Sequence, residues 1–126
     1  MSQPANLLYS KEHEWVKIEG DVATIGITDY AQNSLGDIVY VELPRVGTNV
    51  EQFGTVGVVE SVKAVSDLYT PVGGEITEVN AELENDPALV NREAFEGGWM
   101  FKVRLTDGAQ PSGLLSPDDY DKLTQE

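Results

Sequence analysis

Short runs of β-branched and aromatic residues, each closed by Gly, Pro, Asn or Asp, fill the first two thirds of this chain and restrict it to a mainly β fold. Glu14 to Ile18 and Val22 to Ile27 flank Glu19-Gly20-Asp21, the pattern of a hairpin. Asp37 to Leu43 reads as a strand stopped by Pro44. Gly54 to Ser61, Val65 to Tyr69 and Glu75 to Val79 continue the series, with Pro71-Val72-Gly73-Gly74 as a turn. Trp99 to Leu105 ends it, alternating apolar and basic residues over its second half. Helical signals are short and peripheral. Asp29 is expected to cap a helix through Leu35, with Gln32 as its box partner and Gly36 just past the end. Asp86-Pro87 and Ser116-Pro117 open two more, the second with acids in its first turn. Gly108 to Gly113 reads as the loop before the last helix.

At 126 residues the chain is expected to form a single domain, its core about 7–105 and a C-terminal loop and helix about 106–126. No run approaches the roughly 18 apolar residues that span a bilayer. The first six residues lack both a basic region and an apolar stretch, so no signal or transit peptide is expected. Zero Cys excludes a disulfide framework, a thiol nucleophile and Cys-type metal sites, and suits a cytoplasm. Acidic residues number 22 against 8 basic, a net charge of -14. Such a surface repels phosphate backbones and anionic lipids, leaving either a partner with a basic surface or simple solubility as its use.

Little here can carry catalysis. His13 is the one histidine, too few for a zinc set, and no Ser lies in a nucleophile-elbow sequence. Gly54-Thr55-Val56-Gly57 lacks the Gly-Lys-Ser/Thr ending of a phosphate loop, so strand glycines that admit close backbone approach are expected. Glu82, Glu84 and Asp86 lack the spacing of a calcium loop and read as a solvated rim. In Tyr9 to Trp15, Trp15 is expected in the core and His13 in a local hydrogen bond. Glu14 is then a carboxylate at the edge of an aromatic wall.

Lys63 stands apart. It is the only basic residue between Arg45 and Arg92 and sits between Val59-Glu60-Ser61-Val62 and Ala64-Val65-Ser66-Asp67. A lone ammonium between strand-forming runs belongs at a tight turn, because burying it is costly. It reads either as a solvated turn lysine or as an amine put forward for covalent modification.

Together these segments resemble the H-protein family of the glycine cleavage system. The resemblance runs from Tyr9 to about Leu105. It is carried by His13-Glu14-Trp15-Val16, Ile25 to Gln32, Leu35 to Val39, Val41 to Pro44, Gly57 to Asp67, Pro71 to Ile76, Asn80, Pro87 to Asn91 and Gly98 to Met100. It implies a barrel-sandwich hybrid fold, lipoyl/biotinyl-carrier-like, with lipoic acid in amide linkage on Lys63 at a hairpin tip. It implies a non-catalytic carrier, a monomer, that cycles among three enzymes. These are a PLP-dependent glycine decarboxylase (P-protein), a tetrahydrofolate-dependent aminomethyltransferase (T-protein) and a dihydrolipoyl dehydrogenase (L-protein). A lipoate ligase or lipoyl transferase that reads Glu60 and Gly74 is implied as well. Glu14, with Asp67 nearby, is implied to face the aminomethyl end of the arm. A bacterial or archaeal cytoplasm is expected, a processed organellar form being the alternative.

Two departures from the family pattern stand out. Asn91 to Glu96 replaces a common Pro-Tyr pair, and Glu12 stands where some members carry a small hydroxyl residue. Biotin carriers flank their lysine with methionines, where Val62 and Ala64 stand here. Lipoyl domains of 2-oxoacid dehydrogenases place Asp before the lysine in long multidomain chains. A relay that donates lipoyl groups to other complexes is a further reading.

Overall fold

The computed structural model describes residues 7–105 and 113–124. Nine strands and four short helices follow one another within them. The strands are β1 (Leu8–Tyr9), β2 (Glu14–Glu19), β3 (Val22–Ile27), β4 (Ile38–Glu42), β5 (Asn49–Val50), β6 (Thr55–Ser61), β7 (Val65–Tyr69), β8 (Gly74–Val79) and β9 (Phe101–Leu105). The helices are α1 (Asp29–Leu35), α2 (Glu82–Asn85), α3 (Leu89–Arg92) and α4 (Pro117–Thr124). One antiparallel sheet runs β1-β2-β3-β9-β8-β5 and a second runs β4-β6-β7.

Strand alternation builds the core. On β9, Phe101, Val103 and Leu105 are buried while Lys102 and Arg104 face outward. Those inward residues join Ile25 and Ile76 of the large sheet with Val41, Val59 and Leu68 of the small one in a single cluster. Each such side chain contributes about 1.5–3 kcal/mol by leaving water. Within the small sheet two strands approach closely where a side chain is missing: a Cβ on Gly57 would collide with the Glu42 carbonyl oxygen, so β4 and β6 can pair there only around a glycine. Close approach, not a phosphate loop, is the use of that glycine.

The helices correct the sequence reading in three places. Thr28, not Asp29, caps α1: its backbone is extended (φ -74°, ψ 166°) and its Oγ1 accepts the Ala31 N–H at 3.1 Å. Asp29 is already helical and its Oδ1 accepts from Gln32 Nε2 at 2.7 Å. The Asp86-Pro87 signal does not start a helix at once, because residues 86–88 turn first and α3 begins at Leu89. α2 was unexpected. Glu82 and Glu84 are solvated as foreseen, but they flank a buried Leu83 on a single helical turn too short to show periodicity. Gly36 ends α1 at φ 86°, as its position suggested, and Ser116 Oγ accepts the Asp119 N–H at the start of α4. The loop expected over Gly108 to Gly113 lies, except for Gly113, outside the described residues. No helix among them is long and apolar enough to cross a membrane.

α4 is held by one residue. Tyr120 is buried and stacks on Tyr9, ring centroids 4.7 Å apart. Its hydroxyl lies 2.8 Å from His13 Nδ1 and 2.7 Å from Thr28 Oγ1. His13 thus bonds across 107 residues and not locally. Its left-handed backbone (φ 70°) closes the β1–β2 turn, a conformation histidine adopts more readily than most residues. Tyr120→Phe keeps the ring but strips both partners of their bond, so urea denaturation is expected to show a loss of about 1–3 kcal/mol.

Candidate functional site

β6 and β7 form a hairpin in which Glu60 pairs with Val65 and Ser61 begins the turn. Ser61 fixes that turn. Its N–H donates to the Ala64 carbonyl at 2.8 Å, and its hydroxyl oxygen accepts the N–H groups of Lys63 (3.3 Å) and Ala64 (3.0 Å). The Val62 N–H donates to Asp37 O at 3.1 Å, tying the turn to the entry of β4. Lys63 is exposed at the tip, and its ammonium makes no hydrogen bond or ion pair among the described residues. Its aliphatic stem passes over Gly36, where a Cβ would stand 3.5 Å from Lys63 Cε. Sequence reasoning overlooked Ser61, although a serine at the first position of a turn is a recognised signal.

Apolar side chains surround the tip. Val62 and Val65 are 69% and 67% exposed, and Val39 and Tyr40 also face solvent. Tyr40, Glu60 and Val65 lie side by side across the small sheet, next to the row Glu42, Val58 and Asp67. Glu60 is therefore close to the tip. Asp67 is exposed on β7 opposite Val58. Gly74 is elsewhere, buried on β8 of the large sheet between Val50 and Leu105. Its φ of 151° and the Arg104 carbonyl oxygen, which lies where a Cβ would go, leave no room for a side chain.

Floor and flank come from Asn91, a residue the sequence reading placed in a family motif and at the start of a variant loop without giving its side chain a role. Its Oδ1 accepts the Ile38 N–H at 2.8 Å, and its Nδ2 donates to Gln32 Oε1 (2.8 Å) and Gly36 O (2.9 Å). One amide thus ties the end of α1 to the start of β4, directly under the lysine stem.

Glu14 is at the other end of α1. The His13 carbonyl accepts the Thr28 N–H, and Glu14 pairs with Ile27. From Thr28 to Gly36 the helical rise is about 12 Å. Glu14, expected at the edge of an aromatic wall, is only 2% exposed. It accepts the Ser10 hydroxyl at 2.5 Å and a backbone N–H from Tyr69, while its own N–H donates to Ser10 Oγ. No cation pairs with it among the described residues. Burial pushes its carboxyl up to about 8; the Ser10 bond opposes this, nearby Glu12 adds to it, and the Tyr69 N–H opposes it again. Burial lowers the His13 pKa.

The folded protein therefore keeps the Glu14 proton up to about pH 8, whereas the unfolded chain releases it near 4.5. Between those values the native state binds more protons, so stability falls as pH rises. Urea denaturation at pH 5, 6.5 and 8 is expected to show this slope. Glu14→Gln, which keeps an acceptor for both donors, should remove a contribution on the order of 3–5 kcal/mol at most. An identical slope in the variant would place the titration elsewhere.

Comparisons with known proteins agree on one family. The family model described as "Glycine cleavage H-protein" matches residues 7–126. The glycine cleavage system H protein of Carboxydothermus hydrogenoformans is 54% identical over 123 residues, covering 98% of this chain and 95% of that protein. That of Streptomyces coelicolor is 59% identical over 121 residues, 95% of each. The crystal structure of a glycine cleavage system H protein from Mycobacterium marinum superposes with a TM-score of 0.87 at 36% identity, covering 95% of this chain and 97% of that one.

Proposed function

The chain belongs to the glycine cleavage H-protein family, and from that premise we propose that Lys63 carries lipoic acid and that the protein shuttles aminomethyl groups derived from glycine. The observation that carries this is the exposed amine of Lys63 on a hairpin tip whose backbone is pinned by Ser61 and Asp37. Acylation converts that ammonium to a neutral amide, which can lie against protein without stranding a charge. Held on Lys63, a lipoyl group would supply a redox-active disulfide whose sulfur could carry an aminomethyl unit between the P-protein and the T-protein, with the L-protein restoring the disulfide.

Each residue has a physical part in this reading. Glu60, half-buried beside the tip, offers a lipoate ligase or lipoyl transferase a carboxylate at fixed distance from the amine. Gly74 supports that presentation from the large sheet by letting β8 and β9 close up. The apolar collar of Val39, Tyr40, Val62 and Val65, rimmed by Glu42, Glu60 and Asp67, suits partners with an apolar patch ringed by basic groups. Glu14 is the principal receptor for the ammonium at the arm's end, and Asp67 contributes from β7. An arm of about a dozen bonds reaches about 14 Å at extended-chain spacing, enough to traverse α1. The protein acts as a monomeric single domain in a bacterial or archaeal cytoplasm, a carrier without catalytic residues of its own.

Expression with a lipoate ligase and free lipoate, followed by intact-mass measurement and peptide mapping, tests the assignment. One lipoyl increment on the peptide containing Lys63 is expected. Attachment at Lys11, Lys17, Lys102 or Lys122 would overturn it.

A further inference from the structure

A carboxyl group taken out of water needs either a cation beside it or its own proton. Among the described residues Glu14 has no cation paired with it. The groups around it come from five elements, and none of those elements pairs a lysine or arginine with it among the described residues. The β1–β2 turn brings Ser10, Glu12 and His13, whose imidazole burial shifts toward its neutral form against the pull of Glu12, while the turn's lysine, Lys11, is exposed to solvent. β1 brings Tyr9, stacked on Tyr120 of α4, while β7 brings the Tyr69 N–H and α1 brings Thr28 and Tyr30. Both hydrogen bonds that reach the carboxyl come from neutral donors. The site is built to hold an acid group out of solvent and leaves its charge unbalanced.

From this arrangement we propose that Glu14 is a proton-exchanging receptor: it is a neutral carboxylic acid in the unloaded carrier, and an arriving ammonium on the arm displaces its proton to solvent. This rests on the shuttle reading above and deepens it. The exchange balances, since the O–H bond of Glu14 breaks, the proton leaves to bulk water, and the ammonium replaces it as the positive partner of the carboxylate. Ser10 O–H and Tyr69 N–H donate to the same carboxylate, so the ionised form is already solvated by protein once a cation neutralises it. Tethering at Lys63 supplies the high local concentration needed to part the walls around a group this buried. Two consequences follow. Loading releases a proton per arm, and retention of the loaded end strengthens about tenfold for each pH unit up to the value at which the free acid ionises.

The test is 13C NMR of carrier labelled at glutamate Cδ, with the Glu14 signal assigned by its absence in Glu14→Gln. The lipoylated, unloaded carrier should show a Glu14 inflection near pH 8. After loading from glycine by the decarboxylase, the signal should stay at its ionised position down to below pH 5. An inflection of the unloaded form in the ordinary carboxylate range overturns the inference and leaves the shuttle intact. An inflection unmoved by loading overturns it also, because the cation then does not meet Glu14. A carrier that gains no mass from glycine overturns the underlying reading, and the inference with it.

Discussion

Lys63→Arg is expected to reduce reconstituted glycine cleavage to the level measured without carrier, while urea stability changes by less than about 0.5 kcal/mol. Arginine keeps the charge and most of the stem that lies over Gly36. It cannot be acylated by a ligase under ordinary conditions, since its guanidinium stays protonated. The turn is held by Ser61 and by the Asp37 carbonyl, neither of which depends on the lysine side chain. A full loss of activity without loss of fold therefore isolates the amine itself. Retained activity in the variant would remove Lys63 from the reading altogether.

Gly74→Ala is expected to destabilise the fold strongly. The new methyl would meet the Arg104 carbonyl oxygen and approach Val103 Cγ1 to 2.9 Å, in a backbone conformation that L residues rarely adopt. Strain and overpacking together are expected to cost about 3 kcal/mol. β8 pairs with β9 at this residue, so the defect opens the large sheet and not the lysine tip. Loss of lipoylation in this variant would then follow from a disturbed sheet. Measuring ligase acceptance at a temperature where the variant is still folded separates the two causes. Normal stability with lost acceptance would mean that the enzyme reads Gly74 directly.

Much of the architecture was legible because its strands are long enough to repeat. β6, β7 and β9 each show alternation or β-branched density, and Val65 to Tyr69 matches its strand end to end. β1 and β5 have two residues each, too few for any period to register. The Thr28 cap was misread because Thr28 and Asp29 are both good caps and only the backbone angle decides between them. The position of Lys63 on a turn could be read from its neighbours. The depth of Glu14 could not, since its neighbours in sequence place it only at the edge of an aromatic wall, and folding is what brings Ser10, Tyr69 and Tyr120 around it. The same holds for Asn91, whose three bonds reach 53 to 59 residues away.

That asparagine has a mechanical consequence. By bracing both the helix end and the strand beneath the lysine stem, it makes the root of Lys63 a fixed pivot; under the carrier function proposed above, the search for a partner's active site would then be carried out by the tether and not by wobble of its base. The volume explored is then a cap centred on one point. Truncating the asparagine would blur that centre, and delivery should slow at every enzyme in the cycle by the same factor.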